Sequence, residues 1–170
     1  FPSGLSDPDL WEEDIQSQYG SALTGTSPFV RNETMSKKNH VVQSILVKGI
    51  LPNKRQKVQD LQRFVYPPSS LEKLQDEVDA FQSKGTIPEV PSIIVGRGLL
   101  FVWNAKVGEQ VDLISPAQSE GDPFGDRGTF QILGVYDSGF EHYDNKIGII
   151  SLPAAKNLFK MGNRVTGIEV

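Results

Sequence analysis

Residues 146–170 read KIGIISLPAAKNLFKMGNRVTGIEV, and the reading of this stretch decides the fold. Residues 146–151 form an apolar run of strand length rich in β-branched isoleucine. Ser151 then stands where a helix N-cap belongs and Pro153 falls in the first turn, where its missing N–H costs nothing. Leu152, Ala155, Leu158 and Phe159 recur at helical spacing, Gly162 is a stop, and residues 165–170 resume as a strand. Strand, helix and strand in this order make a compact α/β unit.

Working outward, VVQSILVKGI (41–50) has the apolar density of a strand buried on both faces. Residues 27–32 read as a second extended segment, joined to the 40–50 segment by a hairpin loop over the polar residues 33–39. Near the start, Asp7-Pro8-Asp9 opens a helix in which Leu10, Trp11, Ile15 and Tyr19 recur roughly every four residues before Gly20. Pro67-Pro68 interrupts the chain, Ser69 and Glu72 have capping-box spacing, and Leu71, Leu74, Val78 and Phe81 line one helix face before Gly85. Residues 54–64 read as a short amphipathic helix.

Residues 92–95 (SIIV) are a short strand, and Gly96-Arg97-Gly98 a turn into a brief helix. Val107-Gly108-Glu109 is a tight turn into VDLI (111–114), the expected antiparallel partner of residues 129–136, in which Phe130, Ile132 and Gly134 share one face. Between these two strands, residues 115–128 (SPAQSEGDPFGDRG) have no apolar period and are too rich in Gly and Pro for regular structure. A connection longer than the usual two to five hairpin residues is generally functional or disordered. Phe124 sits between Pro123 and Gly125, where an aromatic side chain can enter a partner's apolar groove while proline limits the ordering cost. The alternative is a mobile hairpin tip with no role.

Composition narrows the functions. With 17 basic against 21 acidic residues the net charge is −4, and the basic residues are too scattered for a nucleic-acid footprint. The absence of cysteine removes disulfides, thiol nucleophiles and Cys-ligated zinc together. No apolar run is long enough to span a bilayer, and a chain beginning at Phe1 reads as a piece of something longer, with any spanning helices outside it. Gly96-Arg97-Gly98 opens like a dinucleotide fingerprint, but Phe101 occupies the position of the third glycine. There is no P-loop and no Gly-x-Ser-x-Gly elbow. Glu141, His142 and Asp144 are the one acid–base grouping, open to a hydrolase reading or to that of a polar loop. No catalytic residue, metal or cofactor is assigned.

The ordered series PSIIVGRGLL, KVGEQVDLISP, a variable Gly/Pro loop, FQILGVYDSGFEHYD, KIGIISLPAAKNLF and RVTGIEV, preceded by VVQSILVKGILPNKRQKVQDLQRFV, resembles the periplasmic domains of the LolC/LolE permeases of lipoprotein-releasing ABC transporters. Leu51 stands where that family tends to have Asp, and the family's strand before the first helix is largely missing. The resemblance implies a single α+β extracytoplasmic domain over 1–170. Its two lobes would be an α/β porter-like lobe from both chain ends (1–50 plus 141–170) and an inserted β-rich lobe (51–140) carrying the 115–128 loop. It implies a place at the periplasmic face of the bacterial inner membrane, where lipoproteins are released to a LolA-like periplasmic carrier. Other implied partners are the lipoprotein itself, a second permease subunit, and an ATPase subunit reached through transmembrane helices; nucleic acid is not among them. The 115–128 loop takes the position of the family's carrier-holding hook, with Pro116, Gln118, Pro123, Phe124 and Arg127 as contact residues by position. A MacB-like or FtsX-like domain, serving efflux or control of a cell-wall hydrolase, shares the architecture and is the alternative.

Overall fold

The computed structural model describes residues 4–23, 25–54, 61–115 and 127–170. In chain order the elements are α1 (Pro8–Tyr19), β1 (Ser27–Lys38), β2 (Val41–Ile50), β3 (Val65–Tyr66), α2 (Ser69–Lys84), β4 (Ser92–Gly96), α3 (Arg97–Trp103), β5 (Gln110–Ile114), β6 (Arg127–Tyr136), α4 (Glu141–Asp144), β7 (Ile147–Ser151), α5 (Leu152–Leu158) and β8 (Gly167–Glu169). The mixed α+β class follows directly. The deciding stretch folds as its sequence reads: β7 is buried throughout, and the Ser151 hydroxyl accepts a hydrogen bond from Ala154 N at 3.3 Å to cap α5.

Six strands pair in a closed ring, β1-β2-β7-β4-β6-β5 and back to β1, with β8 added to β1 and β3 to β6. The β2–β7 and β4–β6 pairs are parallel and the rest antiparallel. Strand alternation sorts side chains into two cores. Ile45, Val47, Ile93, Val95, Leu113 and Ile132 join one cluster with Leu99 and Trp103 of α3 and with Ala155 and Leu158 of α5. Ile94, Ile147 and Ile149 face the other way, under Leu71 and Leu74 of α2. Because α3 follows β4, α5 follows β7, and these strands are antiparallel, the two helices cover opposite ends of the ring. The strands of the two expected lobes share this one sheet: β7 pairs with β4 and β1 with β5 across the boundary between them.

Several elements differ from the sequence reading. The polar residues 33–38 are strand, not hairpin loop. Thr34 and Ser36 are buried, with their hydroxyls donating to the carbonyls of Ile114 and Gln43, so a polar sequence is satisfied inside the sheet. The turn is only Asn39-His40, both at positive φ (49° and 67°), the conformation of a two-residue hairpin. No capping box forms on α2: Ser69 is already helical and Pro68 is the N-cap, without a side-chain hydrogen bond. The other end is as expected, with Gly85 at φ 68° donating to Phe81 O. In α1 the apolar residues do not face a core, since Leu10 is 64% and Tyr19 61% exposed. Polar ties hold that helix instead, Glu12 taking Lys54 Nζ at 2.6 Å and Thr26 Oγ1 at 2.9 Å. No turn separates β4 from α3; Arg97 is the first helical residue.

Candidate partner-binding site

Of the 115–128 segment expected as loop, Arg127 and Gly128 already belong to β6, where they pair with Ile114 and Leu113, and the remainder joins two well-anchored strands. From Gln110↔Gln131 to Ile114↔Arg127, β5 and β6 form an unbroken antiparallel ladder. Val111, Leu113, Phe130 and Ile132 are buried beneath it, while Thr129 Oγ1 donates to Asp112 Oδ1 at 2.8 Å across the pair. A third strand supports the base, because β1 pairs with β5 up to Met35↔Ile114 and Thr34 reaches the Ile114 carbonyl. Ser115, immediately beyond, is buried. Of the contact residues expected from the sequence, Pro116, Gln118, Pro123 and Phe124 lie outside the described residues. Arg127 is described, as the exposed first residue of β6.

An open cleft of about 900 Å³ lies directly beside this base. Arg127, Phe130, Leu158, Phe81, Ile87 and Pro91 are among its lining residues. A second hollow of about 560 Å³ shares Phe81, Ile87, Asn157 and Lys160 with it and extends to Lys156 and Asn163. Burial pushes the Lys156 ammonium below its ordinary pKa, with the Asp9 carboxylate acting in the opposite sense. Arg127, Lys156 and Lys160 thus border a trough of mixed lining, in which Phe81, Ile87 and Leu158 stand beside Glu89, Gln110 and Thr129. Sequence reasoning missed the trough. Its wall is the aperiodic run GTIPEVP (85–91), brought beside α5 only by the path from α2 into β4.

The acid–base grouping does not converge. Asp144 is buried, and its carboxylate accepts from Ser138 N and Ser138 Oγ (3.1 and 2.6 Å) and from Gly139 N (3.1 Å), which makes it the anchor of a loop. Glu141 and His142 are exposed on the short α4. Among the described residues no cluster of three His, Cys, Asp or Glu side chains has metal-binding proximity. Nor is any described helix long and apolar enough to cross a membrane.

No protein-family model matches the chain. It is 23% identical over 151 residues to the lipoprotein-releasing system transmembrane protein LolC of Neisseria meningitidis serogroup B, an alignment covering 87% of this chain and 33% of that protein. The chain therefore spans about a third of the length of this relative. In fold it is similar to the extracellular domain of the noncanonic ABC-type transporter YknZ from Gram-positive bacteria (TM-score 0.53, 13% identity, 99% of this chain and 73% of that one). It is also similar to the periplasmic region of MacB from Actinobacillus actinomycetemcomitans (TM-score 0.51, 12% identity, 92% of this chain and 61% of that one). By sequence and fold, then, the chain is similar to the extracytoplasmic domains of LolC- and MacB-like ABC transporter permeases.

Proposed function

We propose that this chain is the extracytoplasmic binding domain of an ABC transporter permease that takes part in releasing lipoproteins from the inner membrane and hands them to a periplasmic carrier. In this reading it works at the periplasmic face of that membrane, beside a second permease subunit. A separate ATPase subunit drives it through transmembrane helices, and the domain itself performs no catalysis. The observation that carries the reading is the three-stranded β5–β6 base, tied to β1 and opening onto a cleft of mixed polar and apolar lining, at the position of the 115–128 segment. A stiff base lowers the ordering cost of binding, and Phe124 with its flanking Pro123 supplies an anchor of the kind that dominates interfaces. Pro116, Gln118 and Arg127 complete the contact set.

Titration of the cognate lipoprotein carrier against the chain tests this. Phe124→Ala is expected to weaken binding at least tenfold and a shortened 115–128 segment to abolish it; unchanged affinity in both removes the hook assignment. The likeness to MacB and YknZ supports a second reading, a domain for efflux or for control of a cell-wall hydrolase. Binding to an outer-membrane channel assembly or to a hydrolase, in place of the carrier, selects it.

A further inference from the structure

Beyond Leu158 the chain leaves α5 through a turn in which Lys160 and Gly162 take positive φ, 50° and 60°. Phe159 N donates to Ala155 O at 3.0 Å, Lys160 N to Asn157 O at 3.3 Å and Met161 N to Lys156 O at 2.9 Å. The last carbonyls of the helix are therefore occupied, and little of its negative end is left facing outward. Pro153, Lys156 and Asn157 share one face of α5 by their spacing, and with Lys160 they border the hollow of about 560 Å³. Phe81 and Ile87 line it from the α2 side. Phe81 marks where packing stops: along the apolar stripe of α2, Leu71, Leu74 and Val78 are at most 1% exposed, and Phe81 is 38% exposed.

Charge selects the occupant. Lys156 is half-buried, and among the described residues it makes no ion pair and no hydrogen bond through its side chain. The Asp9 carboxylate of α1 acts on it through space and offsets only part of the effect of burial. An anion placed against Nζ supplies the partner that the fold leaves out. No Asp or Glu is among the described residues lining this hollow; Glu89 lines only the larger cleft. Gly162 and Asn163 also line it, and their backbone N–H groups have no protein acceptor among the described residues. The site nonetheless has a limit. Asp7, which takes Asn163 Nδ2 at 3.5 Å, and Asp9 both stand on the α1 side, and they oppose a second negative charge.

We propose that the hollow between α5 and residues 81–87 binds a small organic carboxylate, with its charged group at Lys156 and its apolar body against Phe81 and Ile87. Its volume lies within the roughly 300–1,000 Å³ of small-molecule sites. A single carboxylate suits the site better than a doubly charged phosphate, because Asp7 and Asp9 lie close by. The proposal does not draw on the transport reading: titration with a protein carrier decides neither the presence of this ligand nor its chemistry.

Octanoate is the probe, titrated below its micelle concentration into the isotope-labelled chain while amide and lysine side-chain resonances are followed. An anion of this size at ordinary ligand efficiency binds with a Kd on the order of 1 mM. Saturable shifts are expected at Ile87, Gly162 and Asn163, together with a rise in the Lys156 pKa. Octylamine should give no such shifts, and octyl glucoside and octyl phosphate should bind more weakly than octanoate. Lys156→Met keeps an apolar stem and removes the charge, and it should weaken octanoate about tenfold. Lys156→Arg should retain binding, which separates loss of the charge from loss of the fold. Phe81→Ala should reduce the advantage of octanoate over acetate. No saturation by concentrations on the order of 10 mM overturns the proposal. Equal binding of octyl glucoside overturns it too, as does unchanged binding by Lys156→Met. Tighter binding of octyl phosphate overturns the single-charge assignment.

Discussion

Two seven-residue helices, α3 and α5, cover opposite ends of one strand ring, and they are secured by different means. α5 starts with local chemistry: the Ser151 cap, Pro153 in the first turn, and two alanines that keep its inner face narrow. α3 has no side-chain cap at all. It is held by Leu99 and Trp103, both fully buried, and by glycines at 96 and 98 that let Asp144 and Asn145 of the neighbouring segment approach its backbone. Both helices join the same core, so the comparison isolates the kind of information each uses. A capped helix writes its start into a few adjacent residues, whereas a helix seated by close approach depends on side chains and backbone far along the chain, as Gly96 does on Asp144 and Gly98 on Asn145.

Substitutions sharpen the contrast, beginning with the largest effect. Trp103→Ala should cost about 3–5 kcal/mol in urea unfolding, because it empties the largest fully buried side chain from the α3 end. A smaller loss there would mean that the ring closes without its α3 plug. Gly96→Ala is expected to cost about 1–3 kcal/mol or more, since the new methyl meets the Asp144 backbone. At the α5 end, the one severe clash of Gly49→Ala is with the Ala155 methyl at 2.3 Å, while the backbone atoms Leu152 Cα and Ser151 O stand at 3.4 Å. Adding Ala155→Gly should therefore recover much of the loss at position 49, and no single side-chain trim should recover the loss at position 96; equal rescue at both sites would erase the distinction.

Ser151→Ala should remove about 1 kcal/mol by deleting the cap, read in urea unfolding. The smallest effect concerns Glu77 of α2, which accepts from Ser92 N at 2.8 Å close to the α5 end. Burial pushes this carboxyl above its ordinary pKa, while hydrogen bonds from Ser92 and Ser151 act against that shift. A carboxyl that holds its proton more tightly in the folded than in the unfolded chain weakens the fold above its folded pKa, and the deficit fades as pH falls toward the unfolded value. Glu77→Gln should accordingly raise the melting temperature at neutral pH by about 1–2 °C and flatten its pH dependence. A lower melting temperature at neutral pH would show that the charge itself is needed.

The candidate site was legible in its frame and not in its surroundings. VDLI and TFQILGVY announce a strand pair by their alternation, and the ladder has Phe130 and Ile132 inward as that alternation requires. Arg127 appears in it as the strand's first residue. The trough beside it was invisible, because Phe81, Ile87 and Leu158 belong to three segments whose spacing in sequence bears no relation to their adjacency. The exposed rings of Phe101 and Phe140 were hidden for a related reason, since no linear pattern sets them apart from buried aromatics and the packing alone leaves them outside.

Sequence alone determined the elements whose cause is local: the capped α5, the Gly85 stop of α2, the alternating strands β5 and β6, and the absence of any cysteine chemistry. Tertiary structure alone decided that polar residues 33–38 are strand, that α1 is tied by Glu12 and Lys54 rather than by its apolar residues, and that six strands close into a ring. Local preferences act between neighbours in the chain. A buried hydroxyl, a glycine without room for a methyl, or an exposed ring acquires its meaning from atoms that folding alone brings within reach.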